Sequence, residues 1–406
     1  VLPNGIVVLA RSNFSSHSAV VSGHICTGGI FEPDDRLGLA DFTASMLMRG
    51  TEEHTSQQLY DLIETAGASF GFSSGTHTTG FSGRCLAEDL PMLLSLLAET
   101  LTGPIFPPEQ VERLRAQLLT GLAIRAQDTS DMASLTFDQI VFANHPYGRP
   151  DDGWPDTIRA ITREEMAAYH RLHFGPKGMV VAVVGAVAPQ AAVEAVQQAL
   201  GLWDNPGQPE EPPLPEVTPL TETVRQHVSI PGKVQADIIL GATGPRRRDP
   251  EYMAAALGNS VLGQFGMMGR IGDVVREQSG LAYYAYSSMV GGIGPGSWEV
   301  SAGVNPENTE RTIDLISRVI RQFTEQGVTE EELSDSQANF IGHLPLSLES
   351  NAGVAAGLLR MERFGHSLDF FRQYAGLVSE VTAGQVVEAV RRYLHPDRLA
   401  IATAGP

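Results

Sequence analysis

Asn205-Pro206-Gly207-Gln208-Pro209-Glu210-Glu211-Pro212-Pro213-Leu214-Pro215-Glu216-Val217-Thr218-Pro219 divides the chain. The repeated prolines fix φ and remove backbone donors, so this segment resists helix and favours an extended spacer, with its glutamates in water. On either side lie stretches of near-equal length, 1–204 and 220–406, which are read as an N-terminal and a C-terminal domain joined by the spacer 205–219. The first opens with the turn signal Pro3-Asn4-Gly5, a β-rich run at 6–10 and a second apolar run at 19–26. Helical periodicity then covers about 37–48, 56–66, 87–101, 108–127, 163–171 and 189–200, with β-rich 179–184 before the last. The second stretch broadly repeats that order: strands at 234–240, 282–287, 297–304 and 399–403, and helices at 250–262, 267–277, 306–326, 330–340 and 383–393. Two similar α+β units related by duplication follow from this recurrence.

Composition narrows the function. Against 28 Lys and Arg stand 47 Asp and Glu, a net charge of −19 that repels phosphate backbones and anionic headgroups, so nucleic acid is not an expected partner. The most apolar stretch, 179–188, is too short for a bilayer-spanning helix, which needs about 20 residues, so no membrane association is expected. Val1-Leu2-Pro3-Asn4-Gly5 lacks the basic and apolar regions of a signal peptide, which leaves a soluble chain of either cytoplasm or periplasm. Cys26 and Cys85 are the only cysteines and read as free thiols.

Several local patterns invite catalytic readings that their contexts do not support. Gly71-Phe72-Ser73-Ser74-Gly75 matches Gly-x-Ser-x-Gly, but a nucleophile elbow requires a helix after it, and 76–83 is polar and β-like. Gly263, Gly266, Gly269 and Gly272 match neither a phosphate loop nor a dinucleotide fingerprint. His170 with His173, and His24 with Cys26, have metal-ligand spacing but no third ligand nearby in sequence, so they read as packing or surface residues.

Gly28-Gly29-Ile30-Phe31-Glu32-Pro33, followed by Gly38-Leu39-Ala40-Asp41-Phe42-Thr43-Ala44-Ser45-Met46-Leu47-Met48-Arg49-Gly50-Thr51, resembles the insulinase, pitrilysin and mitochondrial processing peptidase family. In that family a glycine-containing turn leads to a helix bearing His-x-x-Glu-His, and a hydrophobic run closes on Gly-Thr. The likeness continues through His145-Pro146-Tyr147-Gly148-Arg149-Pro150, Ile161-Thr162-Arg163-Glu164-Glu165 and 262–287, and so covers nearly the whole chain. It implies an α+β fold of two duplicated domains, each a mainly antiparallel sheet with helices packed on one face.

The departures carry as much as the match. A zinc hydrolase of this type uses two imidazoles four residues apart with a carboxylate base between them. Here the histidine positions align with Asp41 and Ser45, and the base position with Ala44. The family's third ligand, a Glu, falls near Leu122 or Ala123, and no carboxylate lies between Glu112 and Asp128. No metal is expected in this chain. Arg276-Glu277-Gln278-Ser279-Gly280-Leu281-Ala282-Tyr283, by contrast, keeps the family's arginine and tyrosine seven residues apart, a pair that reaches the substrate across a closed chamber. A guanidinium and a phenol can donate hydrogen bonds to a peptide carbonyl or its oxyanion. The resemblance also places Gln264, Phe265, Gly266 and Met267 in a segment that holds substrate in some noncatalytic subunits.

The combined expectation is a noncatalytic subunit of a two-chain zinc endopeptidase acting on unfolded peptides. A homologous partner supplies the zinc and the base, and this chain supplies Arg276 and Tyr283 to that site. Two alternatives stand beside it: a purely structural homologue, like the core subunits of the respiratory cytochrome bc complex, and a self-sufficient peptidase with an unrecognised metal site.

Overall fold

A computed structural model describes residues 1–266 and 269–406. Strands β1 (Val7–Ser12), β2 (Ser18–Ile25), β3 (Ser69–Ser74), β4 (Thr79–Leu86) and β5 (Val180–Gly185) form one five-stranded sheet in the order β1-β5-β2-β4-β3. Strands β6 (Val224–Ser229), β7 (Ala236–Thr243), β8 (Ala282–Met289), β9 (Ser297–Val304) and β10 (Ala400–Gly405) form a second, in the order β6-β10-β7-β9-β8. The two orders are the same permutation. In each sheet the first strand pairs in parallel with the last, and every other pairing is antiparallel. The duplicated α+β architecture expected from the sequence is therefore present down to strand connectivity.

One face of each sheet packs on a layer of helices. In the first, Ala19, Val21, Val181 and Val183 share a core with Phe42 and Met46 of helix Leu39–Met46, with Leu93 and Leu97 of helix Leu90–Thr102, and with Val196 of helix Pro189–Leu200. In the second, Ile238, Leu240, Val300 and Ala302 meet Leu257, Ile316, Phe323 and Val390. Among the described residues, the opposite face carries a single helix in each case. Helix Asn351–Phe364 lays Ala355, Val354 and Leu358 over Val20, Ala182 and Val184. Helix Thr129–Val141 lays Ala133, Phe137, Ile140 and Val141 over Ile239, Ala400 and Ala402.

These two helices cross between the halves of the sequence. One compact unit comprises Val1–Leu122, Arg149–Pro213 and Leu346–His366, and the other Ala123–Gly148, Leu214–Pro345 and Ser367–Pro406. Division at 205–219 does not describe these units, because each takes one helix from the far side of the spacer. The physical reason lies in the strands. β5 and β10 are buried at every position, so both of their faces need an apolar cover.

Candidate functional site

The helix that aligns with the family's metal motif starts after Gly38, whose φ of 91° lies in the left-handed region. Glu32 is buried beneath that start, accepting hydrogen bonds from the N–H groups of Gly38 at 3.1 Å and of Ala40. Burial outweighs those bonds and pushes the Glu32 carboxyl up to about 8. One helical turn on, burial and then the neighbouring Asp152 and Asp151 push Asp41 up to about 6. Ala44 is buried and Ser45 half-buried, and helix Pro108–Arg125 contributes a buried Leu122 where the third ligand falls. A carboxyl that resists ionisation, a methyl group and a hydroxyl do not make a zinc site. Among the described residues, the group of potential ligands at coordinating separation lies elsewhere, at Glu53, His54 and Glu99, where His54 Nδ1 is 3.0 Å from the Glu99 carboxylate.

Glu32 sets a pH dependence. Its folded value of about 8 exceeds the ordinary 4.5, so the folded chain retains a proton that the unfolded chain releases between those values. This contribution to stability is complete below the lower value and lost as pH rises through the upper one. The melting temperature is expected to fall from about pH 5 to about pH 8.5, and to fall less steeply in Glu32→Gln. Identical slopes for the two proteins would contradict this assignment.

Arg276 and Tyr283 are positioned by a helix end and a strand start. Arg276 lies in the wide, π-helical turn Asp273–Gln278, with its Nε 3.6 Å from the Glu277 carboxylate and 40% of its side chain exposed. Gly280, at φ 61°, closes that turn: its N–H donates to the Arg276 carbonyl at 3.0 Å, and the Leu281 N–H donates to Val275 at 3.1 Å. β8 begins at once and is immediately irregular. Ala282 opposes Val304 and Tyr284 opposes Gly303, so Tyr283 is the extra residue of a bulge, and it is 81% exposed. Both side chains are thus presented to solvent by a short, closed turn.

Beneath this strand the structure shows a residue that sequence reading passed over. Asp237 is 2% exposed and its carboxylate accepts from the Tyr284 hydroxyl, the Thr129 hydroxyl and, at 3.1 Å, the Gln235 amide. The signal was a lone charge inside the apolar run Ala236-Asp237-Ile238-Ile239-Leu240. Its donors come from β8, from the start of helix Thr129–Val141 and from the residue before β7, so it ties the bulged strand to the helix contributed by the other half.

Gln264 and Phe265 follow helix Tyr252–Gly263, with both N–H groups donating to the Ser260 carbonyl, and Phe265 is 37% exposed. Gly266 has φ 61°, and among the described residues nothing beyond its chain neighbours lies within 4 Å of where a Cβ would stand. Met267 lies outside the described residues. The Gly71–Gly75 segment is edge strand and hairpin turn, with no helix after it. His170 donates from Nε2 to the Leu101 carbonyl at 2.9 Å, and His173 is packed between Phe31 and Tyr169, its imidazole lowered to about 4 by burial. Cys26 and Cys85 are free thiols. No helix among the described residues is long and apolar enough to cross a membrane.

Residues 7–150 match the family model described as insulinase (peptidase family M16), and residues 160–340 match that described as peptidase M16 inactive domain. An uncharacterized zinc protease of Streptomyces coelicolor is 26% identical over 100% of this chain and 88% of its own length. A probable mitochondrial-processing peptidase subunit beta of Arabidopsis thaliana is 29% identical over 48% of this chain and 37% of that protein. Among solved structures, a peptidase M16 inactive domain from Pseudomonas fluorescens superposes with a TM-score of 0.91 at 26% identity, covering 100% of this chain and 97% of that one. A protease from Helicobacter pylori shares the fold, with a TM-score of 0.92 at 18% identity over 100% of this chain and 98% of its own.

Proposed function

We propose, from the premise that this chain belongs to the insulinase (M16) family of peptidases, that it is the noncatalytic subunit of a heterodimeric zinc endopeptidase acting on unfolded peptides. One observation carries the reading. The positions for two imidazoles and a base hold Asp41, Ser45 and Ala44, while Arg276 and Tyr283 keep their seven-residue spacing on a closed turn, Arg276 half-buried and Tyr283 exposed. The Tyr283 ring is largely in water, so a scaffold gains little from it. In this role the guanidinium and the phenol donate hydrogen bonds to a peptide carbonyl whose oxygen gains negative charge as the bond is attacked. Zinc and base belong to a homologous partner, and Gln264, Phe265, Gly266 and Met267 serve as substrate contacts.

The direct test is purification of the native complex. A second, related chain carrying His-x-x-Glu-His should co-purify, with zinc stoichiometric to that chain, and the present chain alone should neither hold zinc tightly nor cleave unstructured peptides. One tightly held zinc in the isolated chain, with chelator-sensitive cleavage, would overturn the reading in favour of a self-sufficient peptidase.

A related expectation concerns repair. Asp41→His, Ala44→Glu and Ser45→His together should not yield an efficient enzyme, because the region of Leu122 and Ala123 still offers no third ligand. Metal content and cleavage by the triple variant measure this. Robust chelator-sensitive activity would mean that another side chain completes the shell.

A further inference from the structure

A cavity of about 210 Å³ opens in the second unit beside Gln264. Met253, Met289 and Phe340 make its apolar wall, and Asn259, Arg247 and Gln264 its polar one. Asn259 is the informative residue. It is 2% exposed on helix Tyr252–Gly263, and its Oδ1 accepts a 2.7 Å hydrogen bond from Ser287 Oγ, itself fully buried. That bond orients the amide, and its Nδ2 has no hydrogen-bond partner among the described residues. An amide on a buried residue, with its acceptor engaged and its donors not bonded to the protein, can donate to an acceptor from outside the chain.

The neighbouring charges agree. The Arg247 guanidinium lies over the Tyr252 ring, 4.3 Å from its centroid, and donates to that tyrosine's hydroxyl, which holds it at the cavity wall. No carboxylate lines the cavity among the described residues. A fixed cation, buried amide donors and a thioether and phenyl wall select an anion on an apolar body, and planar carboxylate geometry suits a guanidinium with an amide beside it.

We propose that this cavity binds a carboxylate carried on an apolar group, supplied by the C-terminal residue of a peptide. The peptide as source rests on the peptide-holding role proposed above, whereas the carboxylate site stands on Asn259 and Arg247 alone.

Titration calorimetry on the full chain tests this with three probes: an unstructured peptide ending in a free phenylalanine carboxylate, the same peptide as its C-terminal amide, and 3-phenylpropionate. The free acid should bind at least about tenfold more tightly than the amide, the weight of a hydrogen bond to a charged group. Asn259→Asp keeps the size and the acceptor for Ser287 but sets a negative charge against the ligand. It should weaken binding of the acid by about tenfold or more and leave the amide nearly unchanged. Met289→Trp, which fills the cavity without burying charge, should abolish binding of both acids, and circular dichroism establishes that each variant is folded. Binding of 3-phenylpropionate with no preference between peptide acid and amide would overturn the peptide source and leave a site for free apolar acids. Equal binding of all three probes to wild type and both folded variants, or no binding of either acid at millimolar concentration, would overturn the site itself. None of these readings requires a partner chain or catalysis, so failure here is distinguishable from failure of the subunit assignment.

Discussion

If the chain acts as proposed, beside a zinc-bearing partner, Arg276→Ala or Tyr283→Phe in that complex is expected to lower turnover of an unstructured peptide by about 10²–10³, the usual loss when one preorganised oxyanion donor is removed. The zinc content and the assembly should be unchanged, because neither side chain is buried: Arg276 is 40% exposed at its side chain and Tyr283 is 81% exposed on a bulge. The division of the effect between kinetic constants is diagnostic. A donor that engages the carbonyl oxygen mainly as charge develops lowers kcat more than it raises KM, whereas a donor to the resting peptide raises KM alone. Full activity of both variants in an intact complex would leave this chain a scaffold, in line with the purely structural alternative.

The largest stability effect is expected elsewhere. Phe137 is fully buried on helix Thr129–Val141, against Ile239, Ala400 and Ala402 of the second sheet. Phe137→Ala should cost about 3–5 kcal/mol, the transfer term plus the cavity left in a well-packed interior. Tyr283→Ala removes an even larger side chain and should stay within about 0.5 kcal/mol, because that ring is already in water. Denaturant titrations of the two variants make the comparison, and a Phe137→Ala midpoint close to wild type would show that this helix does not cover the sheet in solution.

Much of the architecture was legible because the signals are local. The strand expected at 297–304 and the helix expected at 306–326 are each set by neighbours in sequence, and both form there, the helix proper starting at Thr309 after a 3-10 turn at 306–308. The helices at 129–141 and 351–364 were not read. The second contains Gly353 and Gly357, which weaken intrinsic helicity, yet Gly353 is required because a Cβ there would fall 2.1 Å from the Ser347 carbonyl. The first is short, and its apolar positions 133, 137, 140 and 141 serve a sheet formed wholly by the other half. A clue existed: Val180-Val181-Ala182-Val183-Val184 is apolar at consecutive positions, and a strand of that kind needs cover on both faces. Of the candidate site, residue types and spacing were readable, but the bulge at Tyr283 and the buried Asp237 beneath it were not. The bulge depends on the register of the β8–β9 hairpin, and the setting of Asp237 on side chains far away in sequence, Thr129 and Tyr284.

The crossed helices bear on how such a chain can be divided. A fragment ending at the spacer carries helix Thr129–Val141 with no sheet of its own to dock it, and a first sheet stripped of helix Asn351–Phe364. The remaining fragment has the converse surplus and the converse gap. Neither piece is a self-contained folding unit, yet each holds the missing part of the other, so the two behave as a lock and key cut from one chain. Separately expressed pieces should unfold at low temperature or aggregate, and should regain a cooperative transition on being refolded together.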